Sequence, residues 1–267
     1  MRVDALTEPL LAYKGIAVAA WFALLFLGER LAPASLRREE SRVARWRWLG
    51  EPRRLVRNGV FWVINAALGP LIVIPVTLWA SVQDLGWRPW SGWAGFALDL
   101  LVLDLWIYLW HRANHRVPFL WRFHAVHHLD RFLDTTTAGR FHAGEVVLSA
   151  LVRTVPIILL GMTMESVVVF ETLVLAAALF HHSNLRLLAR LERVLSWFVV
   201  TPSIHWVHHH AVRCDTDSNY STVLSVWDRL FRTRSATRRT PGMEIGTEGA
   251  AEEPLARLLL RPFCAAR

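Results

Sequence analysis

Histidine is among the commonest metal-binding side chains, and this chain confines all 12 of its histidines to the stretch from His111 to His210. Their spacing carries the chemistry. His111 and His115 form H-x-x-x-H, while His124, His127 and His128 form H-x-x-H-H. His205, His208 and His209 form a second H-x-x-H-H. Residues three and four apart lie on one face of a helix, so each motif can aim two or three imidazoles at one metal cluster. His181 and His182 add a pair at the end of an apolar stretch, and His142 stands alone before Ala143-Gly144-Glu145. His210 reads as a bystander of its neighbours. One histidine or one H-x-x-x-H would be unremarkable; three such motifs together point to metal. A structural zinc site takes about four ligands and favours Cys with His. Here at least eight histidines are available, and Cys214 and Cys264 form no C-x-x-C pair. That number suits two metal ions, each with several imidazoles. Imidazole serves Zn, Cu, Fe and Ni alike, so the ligands alone leave the metal open.

The elements that must hold these side chains are membrane helices. Of the 267 residues, 54% are hydrophobic and the mean hydropathy is +0.30, too apolar for an ordinary soluble domain. Four regions are long and apolar enough to enter a bilayer: residues 10–27, 60–80, 93–110 and 146–180. The second is interrupted by Pro70 and Pro75. The fourth is broken near Pro156 and Gly161, and is long enough for two helices turning at residues 161–165. The N-terminal run follows Asp4 and Glu8 without a strongly basic start, so it reads as a retained helix rather than a signal peptide. No repeat or flexible linker divides the chain, so residues 1–267 are expected to form one domain, with a histidine-box core over 95–235 and a tail over 236–267.

Charge sets the expected orientation. The net charge is +8, Lys14 is the only lysine, and nine arginines lie between Arg30 and Arg57. In so apolar a chain this balance points to the membrane surface rather than nucleic acid. Positive residues stay inside, so the Arg-rich segment is expected in the cytoplasm and the loop carrying Arg88 outside. Every histidine then falls on the cytoplasmic side. Trp87, Trp90 and Trp93 flank the third region as interfacial anchors. The expected fold is an all-α integral membrane bundle of about four embedded regions, with a cytoplasmic helical cap carrying the histidine boxes.

A ligating imidazole usually donates its other N–H to a carboxylate or carbonyl. Asp104, seven residues before His111, faces the same way two turns deeper and is the first expected partner. Asp228 and Glu145 follow. Asp99 and Glu171 are also intramembrane and are expected to pair with polar groups in the bundle.

The combined motifs resemble the fatty acid hydroxylase/sterol desaturase superfamily. The likeness runs through Asp104-Leu105-Trp106-Ile107-Tyr108-Leu109-Trp110-His111-Arg112-Ala113-Asn114-His115 and Trp121-Arg122-Phe123-His124-Ala125-Val126-His127-His128. It continues in Phe180-His181-His182-Ser183-Asn184, His205-Trp206-Val207-His208-His209, Asp217-Ser218-Asn219-Tyr220 and Trp227-Asp228-Arg229-Leu230-Phe231-Arg232-Thr233. It implies a non-haem di-iron oxidoreductase with two Fe ions, using O₂ and an external electron donor to hydroxylate or desaturate a lipid. Sterol or other polycyclic, carotenoid and fatty acyl substrates are all compatible. The metal ligands it implies are His111, His115, His124, His127, His128, His182, His205, His208 and His209, with His181 and His142 as further candidates. Family members often have His-Pro-x-Glu where this chain has His142-Ala143-Gly144-Glu145, which leaves the role of His142 open. The donor would be a separate ferredoxin- or cytochrome-type protein, and the location the cell inner membrane. The competing class is a non-oxidative metal-binding membrane protein or a metal transporter. A transporter would place ligands near the midplane along a path, not at helix ends.

Overall fold

The computed structural model describes residues 4–35, 51–83, 85, 87 and 90–264, with 4–11 as backbone. The Arg-rich stretch 36–50 and Arg88, on which the expected orientation partly rests, lie outside the described residues. Helix α1 spans Asp4–Leu31, α2 Pro52–Leu68 and α3 Ile74–Ser81. A π-helical turn, Gly69–Val73, joins α2 to α3. Then come α4 (Gly92–Arg116), α5 (Pro118–His128), α6 (Ala143–Leu160) and α7 (Met164–His182). Five short helices complete the cap: α8 (Ala189–Leu195), α9 (Pro202–His208), α10 (Arg213–Thr216), α11 (Val226–Leu230) and α12 (Leu255–Leu260). No strand occurs among the described residues; β pairing is limited to isolated bridges such as Pro33 with Leu185.

Five helical stretches are long and apolar enough to cross a membrane: Ala12–Leu31, Pro52–Ser81, Gly92–Arg116, Ala143–Leu160 and Met164–His182. The fold is an integral membrane helical bundle, and the long fourth region is a hairpin of two helices. Two details differ from expectation. Pro70 and Pro75 do not interrupt the second region, because the π turn absorbs the missing backbone donor. Pro156 lies inside α6 without breaking it, while the turn falls where expected, at Gly161 in the left-handed conformation, φ 55°, where glycine is least strained.

Helix ends, not midpoints, hold the polar cap. Glu29 near the end of α1 accepts hydrogen bonds from the Thr135 and Asn184 backbones at 3.0 and 2.9 Å. Arg54 in the first turn of α2 bonds Asp130 at 2.6 Å. At the other end, Ala80, Leu103, Ile157, Met162, Val167 and Phe170 form an apolar core between α3, α4, α6 and α7. Asp99 and Glu171 are partnered as expected: Trp90 Nε1 and the Ser166 hydroxyl donate to Asp99, and Arg153 donates to Glu171. The turned-in Trp90 therefore does more than anchor, while Trp87 stays exposed. Cys214 and Cys264 are both exposed and unpaired. The tail packs back on the domain, with Leu258 buried against Phe61, Val126 and Leu129.

Candidate metal centre

Four helices bring nine imidazoles together. The C-terminal end of α4 supplies His111 and His115, the end of α7 supplies His182, and α5 and α9 meet through their histidine rings, His127 and His128 against His208 and His209. Two groups result. His111, His115, His124, His128 and His208 each offer a ring nitrogen, and within the group these atoms lie within 4.8 Å of one another. His127, His182, His205 and His209 form the second group by the same measure. Each H-x-x-H-H motif is shared between the two groups. On α5, His124 and His128 are one turn apart and face the first group, while His127 faces the second. On α9, His208 joins the first group, while His205 and the C-cap His209 join the second.

The nitrogen spacing is that of a coordination shell. In the second group His127 Nε2 lies 3.0 Å from His182 Nε2, which lies 2.9 Å from His205 Nε2, which lies 3.1 Å from His209 Nε2. In the first group His124 and His128 meet Nε2 to Nε2 at 3.2 Å. Nitrogens bound at about 2.1 Å to one metal, at angles near 90–109°, stand roughly 3.0–3.4 Å apart. His115 Nε2 and His208 Nε2 are buried without any partner, although buried polar atoms are normally satisfied. The donor set therefore fits two metal ions.

The opposite ring nitrogens fix the tautomers. His111 Nδ1 donates to Tyr220 O at 2.8 Å, His182 Nδ1 to Ala178 O at 2.7 Å and His208 Nδ1 to Ser218 O at 2.6 Å. His124 Nδ1 donates to Glu145 Oε1 at 2.8 Å. Each of these oxygens accepts only, so Nδ1 carries the proton and Nε2 keeps its lone pair. His115 Nδ1 lies 3.5 Å from an Asp217 carboxylate oxygen. Burial first, and then the neighbouring imidazoles, hold His127, His128, His205, His208 and His209 well below the ordinary histidine range. These rings are neutral at pH 7, the state that binds metal.

Comparison with known proteins agrees with this geometry. The fatty acid hydroxylase family model matches residues 96–233, the stretch that contains every one of the nine histidines. This chain belongs to the fatty acid hydroxylase family. It is 29% identical over 215 residues to ornithine lipid hydroxylase OlsE of Rhizobium tropici, covering 78% of this chain and 63% of that protein. It is 28% identical over 204 residues to alkylglycerol monooxygenase of Xenopus tropicalis, covering 70% of this chain and 43% of that one. A cholesterol 25-hydroxylase-like protein of Danio rerio is 28% identical over 167 residues, 57% of this chain and 64% of its own. The match thus spans less than two thirds of each relative. No solved structure matches.

Family residues outside the two groups have other roles. His142 is the N-cap of α6: its Nδ1 accepts from Gly144 N and its Nε2 donates to Leu259 O. It points away from both groups. Its backbone, φ −68° and ψ 139°, is the extended form that a following proline would require, so alanine at 143 leaves the helix start unchanged. His181 stacks 4.0 Å from His205, centroid to centroid, but offers no nitrogen to either group. His210 pairs with Asp215 at 2.8 Å.

Asp104 requires a correction. It contacts no imidazole; it accepts from the Val223 and Leu224 backbones and from Trp227 Nε1, at 3.3, 3.1 and 2.8 Å. It anchors the 221–227 loop to α4. Asp228 likewise touches no ring, but accepts from the Tyr220 and Ser221 amides and so positions the strand of chain whose carbonyl receives His111. Glu145 alone of the three meets an imidazole directly.

A further set of residues escaped the motif reading. Buried Arg54 donates to Asp130, Asp134, Thr137 and the Phe132 carbonyl at 2.6–3.0 Å. Asn58 adds bonds to Asp130 and Thr136. Asp130 stands two residues after His128, so this network ties the end of α5 to α2. The sequence offered no signal for it: Arg54 stands among other arginines, and its partners lie 76 and 80 residues away.

Proposed function

We propose that this chain is a membrane lipid hydroxylase whose paired histidine groups hold two iron ions. One observation carries the reading: five and four histidine ring nitrogens, each set within 4.8 Å of one another, gather in two neighbouring groups at the polar end of five apolar helices. His111, His115, His124, His128 and His208 would hold one ion, and His127, His182, His205 and His209 the other. Bound iron supplies the redox chemistry with O₂ that side chains lack. The chain's own residues do the rest. Backbone carbonyls of Tyr220, Ala178 and Ser218 and the Glu145 carboxylate orient the rings, and burial of the nine imidazoles excludes bulk water from the centre.

Relatives named as an ornithine lipid hydroxylase, an alkylglycerol monooxygenase and a cholesterol 25-hydroxylase-like protein support C–H hydroxylation of a lipid over desaturation. The histidines gather at helix ends rather than along a midplane path, which disfavours transport. Electrons come from a separate ferredoxin- or cytochrome-type protein, and the histidine end faces the cytoplasm of a cell inner membrane, following the arginine bias of the sequence.

The test is metal content and oxygen incorporation. Protein purified anaerobically with iron is expected to hold about two irons per chain, the number two imidazole clusters call for. With a reduced donor and ¹⁸O₂ it should place label in a membrane lipid. His127→Ala and His208→Ala should each lose metal and label while still inserting in the membrane. Well-folded protein that binds no iron would end this reading, and an unlabelled alkene product would replace hydroxylation by desaturation.

A further inference from the structure

Helix α9 presents its metal-binding histidines on one face and Ser203, Ile204 and Val207 on the other, as helical spacing dictates. The second face forms the back wall of a cavity of about 620 Å³, a volume suited to a small-molecule group. Five arginines line it: Arg186, Arg193, Arg234, Arg238 and Arg239. The one lining carboxylate, Glu192, is already engaged by the Ser203 amide at 2.9 Å. Among the described residues none of the five arginines is in an ion pair. Arg239 is the innermost. Its guanidinium lies 4.0 Å over the Trp206 ring, with only long hydrogen bonds of 3.4 Å to Leu185 O and Asn184 Oδ1. Burial draws its pKa down to about 10 even against the nearby Glu192 charge, so that carboxylate compensates the buried cation only in part.

The surroundings identify the source of the anion. A second opening of about 640 Å³ shares Ala34, Arg186 and Pro241 with the first and reaches Leu31, the last residue of the first membrane span. The cavity therefore opens at headgroup depth. Beside it, α8 and the residues flanking it expose Leu188, Leu191, Val194, Trp197 and Phe198. Those apolar positions recur at helical spacing and end in a tryptophan, the pattern of a segment lying in the membrane interface. A soluble acidic protein would meet the arginines but leave this stripe uncovered.

We propose that the arginine-lined cavity seats the anionic headgroup of a membrane lipid, a phosphate or carboxylate, with its chains following the α8 stripe into the bilayer. The site lies one helix behind the metal centre, and its occupancy does not depend on metal.

Binding of short-chain phosphatidylglycerol and phosphatidylcholine to the full chain in neutral detergent, read by native mass spectrometry, tests this. Arg186→Gln combined with Arg193→Gln removes two exposed, unpaired charges. At the worth of one basic residue near an anionic surface for each, phosphatidylglycerol affinity should fall about 30-fold, with phosphatidylcholine unaffected. A charge-matched control, Arg131→Gln with Arg257→Gln, should change little. Equal loss in the control would reduce the effect to net charge and overturn the proposal, as would undiminished binding in the cavity variant. Inorganic phosphate binding as tightly as the lipid would overturn it in favour of a soluble anion. Retained lipid binding with weakened binding of an acidic ferredoxin would overturn it in favour of a protein partner.

Discussion

Replacing Glu145 by alanine should weaken one metal site and spare the other. The Glu145 carboxylate is 6% exposed and sits in the first turn of α6, where the helix dipole favours its charge. Oε1 receives His124 Nδ1 at 2.8 Å and Asn114 Nδ2 at 3.4 Å. Without it, nothing holds His124 in the tautomer that presents Nε2, and the imidazole loses a negative charge that strengthens it as a donor. Loss of such a partner costs about 10–100-fold in metal affinity, or about 1.4–2.8 kcal/mol. The effect should be local, because Glu145 touches no imidazole of the group formed by His127, His182, His205 and His209. Glu145→Gln keeps the acceptor and loses the charge, so it should fall between parent and alanine. Anaerobic titration of metal-free protein with Fe²⁺ or Co²⁺ gives the two affinities. The expected result is one site unchanged and one weakened. Two sites of parental affinity would refute the role given to Glu145. Equal weakening of both would show that the variant had disturbed the fold instead.

The Arg54 network should dominate stability at the polar end. Arg54→Ala leaves Asp130 and Asp134 buried without their main counter-charge and should cost about 3–5 kcal/mol, read as a lower unfolding temperature in detergent. An unfolding temperature equal to the parent's would show that Arg140, 3.7 Å from Asp130, suffices alone. The same carboxylates set an acid limit. Burial by itself would raise them, but Arg54 and its hydrogen bonds outweigh burial, holding Asp130 well below the usual carboxylate range and Asp134 below it. A folded-state pKa below the unfolded value means that their stabilisation is complete above about pH 4 and is lost as pH falls further. Parent protein should therefore lose stability steeply below that pH and Arg54→Ala much less steeply; parallel profiles would contradict this. Ala143→Pro, which restores the proline common in the family, should be neutral or stabilise by about 0.4–1 kcal/mol, since it falls at the first helical position after an extended residue. A loss of stability or of bound metal would mean that the α6 start is less permissive than its backbone angles indicate.

The histidines were legible in the sequence because their order is local. Imidazoles three and four apart on a helix share a face whatever the fold does elsewhere, and apolar runs mark their helices equally plainly. How the motifs divide between centres was less legible. A three-residue step and a four-residue step are both near neighbours, and only the placement of the partner histidines on α4, α7 and α9 separates His127 from His124 and His128. Asp104 was misread for a similar reason. Helical phase gave its direction correctly, but the 221–227 loop lies there and takes its carboxylate. Helix α2 begins at Pro52, before the apolar region at residue 60, whereas in the sequence Arg53, Arg54 and Arg57 belong to the Arg-rich segment that precedes that region. Arg54 is instead buried in an ionic network, and the charge of an arginine says nothing about whether a carboxylate 76 residues away will meet it.

The sharing of each H-x-x-H-H between the two groups bears on how the proposed two-metal centre would keep its spacing. Had each motif served one ion, the distance between ions would depend on how loosely two helices packed. Here α5 and α9 each contribute to both groups, so the separation is set within single helices, whose 1.5 Å rise per residue varies little. The short lengths of these helices, 11 and 7 residues, would leave them marginal alone, and tertiary contacts must supply their rigidity. They do so at both ends of α5. Pro118 starts the helix one residue beyond α4, and beyond its last residue Asp130 is clamped by Arg54. Helix α9 starts at Pro202, with the Ser203 amide held by Glu192, and its last turn is fixed where His208 Nδ1 meets Ser218 O. Two short helices, α5 held against α4 and α9 against α7, rather than any single ligand, thus keep the two groups in register.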